Sequence, residues 1–279
     1  MTAAEFVPFA FAAALAGGFV GSLTGLGGGV IVTPALVLLL GVDLRYAIGA
    51  SLIAVIATSS GAAAAYVRDG YSNIRIGMFL EIATTIGAVF GAYLGTRIPT
   101  RYLSIIFGIM LLQAAWQAMR QMEESGKAIP PDPLANKLHL AGEYRTLEGI
   151  QQHYDVHRVK LGFGLMFGAG AVSGLLGIGS GSLKVIAMDQ AMRIPFKVST
   201  ATSNFMIGVT AAASASVYLS RGYVNPGIVM PVMLGILLGS TLGARFLPKL
   251  GVPLLRRLFA IVVGVIAIEM IVQGIQGNV

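Results

Sequence analysis

Long apolar segments separated by short polar stretches fill almost the whole chain. They cover about residues 6–23, 29–41, 46–66, 74–95 and 101–118, and then about 160–177, 181–192, 198–219, 225–247 and 254–277. Most of them approach the roughly 20 residues that an α-helix needs to cross a bilayer core about 30 Å thick. The second segment of each half is too short for that, so we expect a half-helix or one arm of a broken hairpin there.

Composition agrees with a polytopic membrane protein. Of the 279 residues, 56% are hydrophobic and 11% are charged, whereas a soluble domain carries about 25% charged residues. The sequence pI near 9.8 does not indicate a nucleic-acid partner, because nearly all the Lys and Arg residues lie at segment ends, as membrane orientation requires. The absence of cysteine excludes disulfides and thiolate metal ligands. The first five residues lack a basic region, so we expect the first apolar segment to be retained as a span.

The two halves of the chain align without a gap at an offset of 152 residues. The matches include Gly18 with Gly170, Ser51 with Ser203, Thr58 with Thr210, Tyr66 with Tyr218, Asn73 with Asn225, and Gly87 with Gly239. Alanine and glycine matches are expected by chance in so biased a sequence, but Tyr, Asn, Thr and Ser matches at one constant offset are not. The sequence therefore predicts an internal repeat.

Basic residues indicate how the two repeats are related. An inverted arrangement places four Lys and Arg residues on one side of the membrane and fourteen on the other, whereas a parallel arrangement gives nine on each. Because cytoplasmic loops carry the excess of positive charge, we predict inverted repeats, at 1–118 and 160–279. Both termini are then periplasmic, and the loop at 119–159 is cytoplasmic.

Each repeat contains a glycine cluster, at Gly25–Gly29 and at Gly177–Gly181, inside apolar sequence. Clustered glycines break a helix, and the helix that follows begins with unpaired N–H groups and a positive dipole end, which bind anions. A phosphate-binding loop is a weaker interpretation, because the Gly-Lys-Ser/Thr pattern is missing; close packing between helices is the ordinary alternative. Irregular backbone at membrane depth must face protein or a water-filled cavity, so we expect the two breaks to face each other.

Charged side chains inside the apolar segments are the other candidate functional groups. Lys184 lies one helical turn beyond the second break, where the first repeat has Val32, and intramembrane charge is costly and commonly functional. Structural pairing of this lysine is the alternative. Three carboxylates, at Glu81, Asp189 and Glu269, have no partner that the sequence identifies. In the loop, His153 and His157 have helical i, i+4 spacing, but without a third ligand a solvated pair is the better interpretation.

We therefore predict an anion site between the two breaks, near the bilayer midplane, with no metal and no cofactor. Its candidate residues are Gly27, Gly28, Gly29, Ser51, Ser180, Gly181, Ser182, Lys184, Ser203 and Asn204. The hydroxyl and amide side chains among them could equally serve as interhelical hydrogen bonds.

At these motifs the chain resembles the sulfite exporter TauE/SafE family. The resemblance rests on the run Gly25 to Pro34, on its echo Gly177 to Val185, and on the run Thr200 to Met206, and it extends over nearly the whole chain outside the loop. The second motif departs from the usual glycine triplet at Ser180. The resemblance implies a transporter of sulfur-containing anions such as sulfite, sulfonates and sulfoacetate.

The expected function is thus secondary transport of a small sulfur-containing anion across the cytoplasmic membrane. An anion channel, or a carrier of another small anion such as a carboxylate, is the alternative. An intramembrane enzyme is disfavoured, because no histidine lies in an apolar segment and no paired catalytic groups are found there. The sequence leaves open the substrate, the direction of transport, the coupling ion and the oligomeric state.

Overall fold

The computed structural model describes residues 3–24, 28–68, 72–119, 132–145, 151–246 and 252–277. These ranges form eleven α-helices, one π-helical turn and a two-stranded sheet. The helices are α1 (Ala3–Thr24), α2 (Gly29–Leu40), α3 (Leu44–Arg68), α4 (Ile74–Gly95), α5 (Thr100–Met119), α6 (Pro133–Lys137), α7 (Val159–Leu176), α8 (Gly181–Ile186), α9 (Phe196–Ser220), α10 (Pro226–Phe246) and α11 (Val252–Gln276). The predicted all-helical fold is confirmed, and the short second segment of each half is a short helix.

The outer surface of the helices is apolar. Within the described ranges, three stretches are long and apolar enough to cross a membrane: Ile74–Gly95, Val159–Leu176 and Pro226–Gly243. On α4, Met78, Ile82, Ile86 and Phe90 are all more than half exposed, although large apolar patches are rare on soluble proteins. Such a row of side chains is stable in contact with lipid, so the fold is that of a multi-pass membrane protein.

Two helix pairs pack at glycines, and they do so in equivalent ways. On α1, a Cβ added at Gly18 would lie 2.4 Å from the carbonyl oxygen of Ile236 on α10, and on α7 a Cβ at Gly170 would lie 2.1 Å from that of Thr84 on α4. Gly18 and Gly170 are equivalent at the 152-residue offset, as are Thr84 and Ile236. The first helix of each half therefore packs in the same way on the fourth helix of the other half, with the close backbone approach typical of small residues in membranes.

The last helices of the two halves, α5 and α11, pack against each other in opposite directions. Ser104 donates a hydrogen bond to the carbonyl of Met270 (2.7 Å). A Cβ added at Gly108 would lie 2.7 Å from the carbonyl oxygen of Ala267, and one at Gly274 would lie 2.9 Å from that of Arg101. Residue numbers thus rise along α5 as they fall along α11, so these two equivalent helices are antiparallel.

The described parts of the two glycine clusters, Gly28–Gly29 and Gly177–Gly181, lie directly before or at the start of a short helix. Helix α2 folds against α1, so that a Cβ at Gly17 would lie 2.9 Å from Val32, and it ends at Gly41 in the left-handed region, with φ +62°. In the second half, α8 continues directly into the π-helical turn Ala187–Ala191, a rare form that occurs frequently at functional sites.

A small cap covers one end of the helices. Helix α6 and the antiparallel strands β1 (Gly142–Arg145) and β2 (Gln151–Tyr154) form it. Asn73, the N-cap of α4, donates hydrogen bonds from Nδ2 to the hydroxyl of Tyr154 (2.8 Å) and to the carbonyl of Leu140 (3.2 Å). Leu140 and Tyr154 share a buried apolar cluster with Met188 and Met206, so the cap is joined to the helices by a common core.

Candidate functional site

The two glycine breaks meet in the interior of the protein. Ser51 on α3 lies 3.2 Å from the carbonyl oxygen of Gly177 and 3.5 Å from that of Gly29, with its hydroxyl as donor. Its equivalent on α9, Ser203, donates to the carbonyl of Gly181 (3.2 Å). Gly177 ends α7, so its freed carbonyl needs a partner inside a membrane, and Ser51 supplies one. At Gly29 and Gly181, which begin α2 and α8, the two serine hydroxyls add a second donor to carbonyls at the helix starts.

The second break has an unusual backbone. Gly177 and Gly179 have φ values of +70° and +72°, and Ser180 has φ +43°. A left-handed conformation costs a residue with a Cβ about 1–2 kcal/mol. The Ser180 hydroxyl donates a 2.6 Å hydrogen bond to the carbonyl of Ala169 on α7, which offsets part of that cost.

A small pocket opens beside the second break. Ser180, Gly181, Ser182 and Leu183 line one side, together with Ile178, and Val30 of α2 and Met110, Leu111, Gln113 and Ala114 of α5 line the other. The volume open to the centre of a water molecule is about 10 Å³, which corresponds to about one water. The pocket thus joins both breaks to α5, and an anion larger than water requires it to widen.

Gln113 is a pocket residue that the sequence analysis missed. It is half-buried on α5, and its amide can both donate and accept hydrogen bonds. The apolar run of α5 carries two glutamines, Gln113 and Gln117, and without a neighbour at a defined position nothing distinguished Gln113 from a solvated side chain.

Lys184 lies on α8 but outside the set of residues that line the pocket. Its side chain is fully buried, and Nζ donates a 2.5 Å hydrogen bond to Oγ1 of Thr210 on α9. The Thr210 hydroxyl in turn lies 2.7 Å from Oε1 of Glu81 on α4 and donates to it. An ammonium and a carboxylate are therefore bridged by one hydroxyl group in the interior of the protein.

The carboxylate of Glu81 is 8% exposed and only partly satisfied. Its Oε1 also accepts a hydrogen bond from Thr85 (3.2 Å), whereas Oε2 is buried with no hydrogen-bond partner among the described residues. Ionised groups in a protein interior are stable only when they are paired and hydrogen-bonded. Glu81 is thus the partner for Lys184 that the sequence could not identify.

The remaining predicted residues lie around the breaks. Gly28 is the N-cap of α2, and a Cβ at Gly29 would lie 2.7 Å from the Ser51 hydroxyl. Asn204 is half-buried on α9. Gly27 lies outside the described residues. Contacts that involve the breaks therefore bring together Gly29, Ser51, Ser180, Gly181, Ser182 and Ser203, while the side chain of Lys184 is directed to Thr210.

Two titratable groups in the cap differ from their ordinary state. Backbone N–H groups of Leu134 and Val159 donate to Asp132 and, with the nearby charge of Lys160, hold the pKa of its carboxyl below its usual value. Burial raises the pKa of the Tyr154 hydroxyl. Asp132 thus fastens the start of α6 to the start of α7.

The two loop histidines do not share a helix, since His153 lies in β2 and His157 in the following irregular segment. His153 is exposed beside Glu143 (3.8 Å) and Asp155 (3.5 Å). In the part of the chain that the structure describes, no cluster of three or more His, Cys, Asp or Glu side chains could hold a metal ion.

Comparison with known proteins agrees with the predicted class. A family model described as sulfite exporter TauE/SafE matches residues 10–270. The chain is 31% identical over 271 residues to the probable membrane transporter protein YunE of Bacillus subtilis (strain 168), covering 94% of this chain and 96% of that protein. It is 28% identical over 262 residues to a probable membrane transporter protein of Xylella fastidiosa (strain 9a5c), covering 91% and 92%.

No solved structure gave a significant match. The relatives are named as transporters rather than enzymes, and they match along most of their length. Together with the apolar helical fold, these comparisons make the chain a multi-pass membrane transporter that belongs to the sulfite exporter TauE/SafE family.

Proposed function

We propose that the protein is a secondary transporter of a small sulfur-containing anion, such as sulfite or an organosulfonate, across the cytoplasmic membrane. The observation that carries the proposal is the meeting of the two breaks. Ser51 contacts Gly29 and Gly177, and a small pocket beside Gly181 is lined by the hydroxyls of Ser180 and Ser182 and the amide of Gln113 among apolar side chains. Amide groups at the starts of α2 and α8 favour an anion over a cation.

The proposed anion site lies between the breaks and includes Gly27 to Gly29, Ser180 to Ser182, Ser51, Ser203 and Asn204, with Lys184 as the nearby positive charge. The small volume of the pocket supports a carrier over an open channel, because a channel needs a continuous path. A carrier instead binds its substrate in a closed site and changes conformation to release it. Lys184 follows Leu183, the last pocket-lining residue of α8, and adds a full positive charge near the pocket.

We further propose that the two repeats are inverted. The antiparallel packing of α5 on α11, which occupy equivalent places in the two halves, supports this relation. The reciprocal pairing of α1 with α10 and of α4 with α7 supports it as well. Inverted repeats let the same scaffold open to either side of the membrane around a fixed central site.

The positions of the termini can be tested with single cysteines in this cysteine-free chain. Glu5→Cys reports the N-terminal side, and Gln152→Cys reports the exposed strand β2 of the cap. In intact cells an impermeant thiol reagent is expected to label the first variant but not the second. The reverse pattern would place the cap outside and contradict the charge-based orientation.

Transport can be tested with the purified protein in liposomes loaded with an unlabelled two-carbon sulfonate. Addition of the labelled anion outside is expected to give a transient accumulation by counterflow, and Gly181→Val, next to the pocket, is expected to abolish it. The matched control is Gly168→Val, because a Cβ at Gly168 would contact nothing within 4 Å. Conductive flux without counterflow would indicate a channel, and counterflow with carboxylates but not with sulfur-containing anions would refute the proposed substrate class.

A further inference from the structure

The buried group formed by Lys184, Thr210 and Glu81 lies apart from the pocket yet is connected to it by α8. Gly181 and Ser182 line the pocket, and Lys184 follows one turn later on the same helix. One short helix therefore carries both a pocket wall and a fully buried positive charge.

The group occurs once, although the scaffold repeats. At the 152-residue offset, Thr210 corresponds to Thr58, but Lys184 corresponds to Val32 and Glu81 to Met233. The helix packing that the two halves share thus accommodates apolar residues at the positions equivalent to Lys184 and Glu81. The two charged residues are therefore specific to this one place in the protein, and their charges have opposite sign.

Charge balance links this pair to the proposed substrate. With no anion present, the carboxylate of Glu81 compensates the ammonium of Lys184 through the Thr210 hydroxyl. An anion that enters beside α8 adds a second negative charge near the same lysine. A net buried charge is costly in a low-dielectric interior, so the combined site is favoured when one negative charge is removed.

Glu81 is the group that can remove it. Its Oε2 is buried and has no hydrogen-bond partner among the residues that the structure describes, so a proton on that atom breaks no hydrogen bond recorded there. A proton from water on the open side would form an O–H bond at Oε2 and make the side chain neutral. Lys184 would then keep its charge for the anion.

The described elements around this pair bring only a few other charged or titratable groups, and most lie at helix ends. Helix α7 contributes Lys160 and α9 contributes Lys197, both exposed in the first turn, while Arg75 occupies the first turn of α4 and Tyr93 its last turns. Tyr218, near the other end of α9, donates to the carbonyl of Leu175. Asp189 lies on the π-helical turn and is half-buried. Lys184 is the charged group that Glu81 meets through Thr210.

We propose that Glu81 takes up one proton when the protein binds its anion, so that proton and anion are bound together and carried in the same direction. This inference rests on the proposed anion transport and adds the coupling ion to it. The loaded site holds the ammonium, the anion and a neutral carboxyl group, and the empty site holds the ammonium and the carboxylate. Both states carry the same net charge.

The test is calorimetric binding of ethanesulfonate to the purified full-length protein between about pH 6 and about pH 8, where this anion does not titrate. Measurements in buffers of different ionisation enthalpy give the number of protons taken up. In the range where Glu81 is ionised before binding, the wild type is expected to take up about one proton per anion. Its affinity for the anion is then expected to fall about tenfold for each unit by which the pH rises. Glu81→Gln is expected to bind with no proton uptake and no pH dependence.

The matched control is Glu269→Gln, since Glu269 is the exposed carboxylate of α11, bonded to Gln273; it is expected to behave as the wild type does. Anion binding without proton uptake by the wild type, or an unchanged pH dependence in Glu81→Gln, would overturn the inference and leave the transport proposal standing. If Glu81→Gln does not fold, the proton count of the wild type alone decides. No binding of ethanesulfonate, sulfite, thiosulfate or sulfate at any pH would instead overturn the proposed function, and the coupling with it.

Discussion

The contact between α4 and α7 gives the sharpest test of the packing, through Gly174→Ala. A Cβ at Gly174 would lie 1.9 Å from the carbonyl oxygen of Ala88 and 2.8 Å from the amide nitrogen of Ala92. Ordinary contact begins at 3.4 Å, so the two backbones must separate by about 1.5 Å, the difference of 3.4 and 1.9. Neither atom belongs to a flexible side chain that could move away.

The expected loss in the free energy of unfolding is about 1–3 kcal/mol, the range for overpacking in a tight interior, and it lies toward the upper end because backbone atoms collide. Gly168→Ala on the same helix is the matched control, because a Cβ there meets nothing within 4 Å. Alanine is favoured over glycine in a helix interior by about 1 kcal/mol. The control is therefore expected to be as stable as the wild type or slightly more stable.

Both variants are purified in the same detergent, heated in steps and passed over a size-exclusion column, and the fraction that remains monodisperse is measured. Gly174→Ala is expected to lose its monodisperse peak several degrees below the control. Equal midpoints for the two alanine variants would show that α4 and α7 do not approach as closely as the structure describes. The reasoning from glycine packing would then be wrong.

Three further predictions concern single side chains. Ser51→Ala removes the hydroxyl beside Gly177 and is expected to lower stability by about 1–3 kcal/mol; unchanged thermal unfolding would contradict this. Ser180 has a left-handed backbone conformation, which Ser180→Gly adopts without strain and Ser180→Ala does not. The glycine variant is therefore expected to be more stable than the alanine variant by about 1 kcal/mol in the same heating assay. Because the pKa of Asp132 is lowered in the folded protein, the ionised carboxylate stabilises the folded state fully above the ordinary carboxyl pKa of about 4, and this stabilisation is lost as pH falls below it. Hydrogen exchange of the cap is expected to become faster in acid in the wild type, and Asp132→Asn is expected to remove this acid dependence.

The position of the breaks could be predicted from sequence because two independent signals agree. Glycine clusters interrupt apolar segments in each half, and the 152-residue offset makes them equivalent. The membrane then requires that freed backbone groups find partners inside the protein. Ser51 fulfils that requirement on Gly177, which ends α7, and its counterpart at the offset, Ser203, contacts the carbonyl of Gly181 at the second break.

The partner of Lys184 could not be predicted. Glu81 is separated from it by 103 positions in the sequence, and the two helices that carry these residues are apolar on several faces. Periodicity therefore does not reveal which side of α4 faces α8. The pairing follows from how α4 packs on α7 and α9, which depends on glycines such as Gly87 and Gly170.

The cap was only partly predictable for a different reason. Its polar composition and the proline run indicate a break from the helices, but no pattern in the sequence indicates the two-stranded pairing of residues 142–145 with 151–154. The contacts of Asn73 with Leu140 and Tyr154 join residues that are far apart in the sequence. The i, i+4 spacing of His153 and His157 does not reflect a shared helix, since His153 lies in a strand.

The pairing of Lys184 with Glu81 changes the expected effect on stability of replacing Lys184. Taken without a partner, Lys184 is a costly buried charge, and its removal would be expected to leave folding nearly intact. With Glu81 as its partner, Lys184→Val leaves an uncompensated buried carboxylate, so a loss of about 3–5 kcal/mol is expected.

The repeat supplies the compensating variant, since the equivalent positions hold Val32 and Met233. Lys184→Val combined with Glu81→Met removes both charges and inserts residues that the scaffold already accommodates. Replacing a buried ion pair by apolar residues is often neutral or stabilising, so the double variant is expected to be more stable than either single variant while losing anion transport. Thermal unfolding of the four proteins completes the double-mutant cycle. Additive losses would mean that Lys184 and Glu81 do not compensate each other, because coupled neighbours depart from additivity by about 0.5–3 kcal/mol.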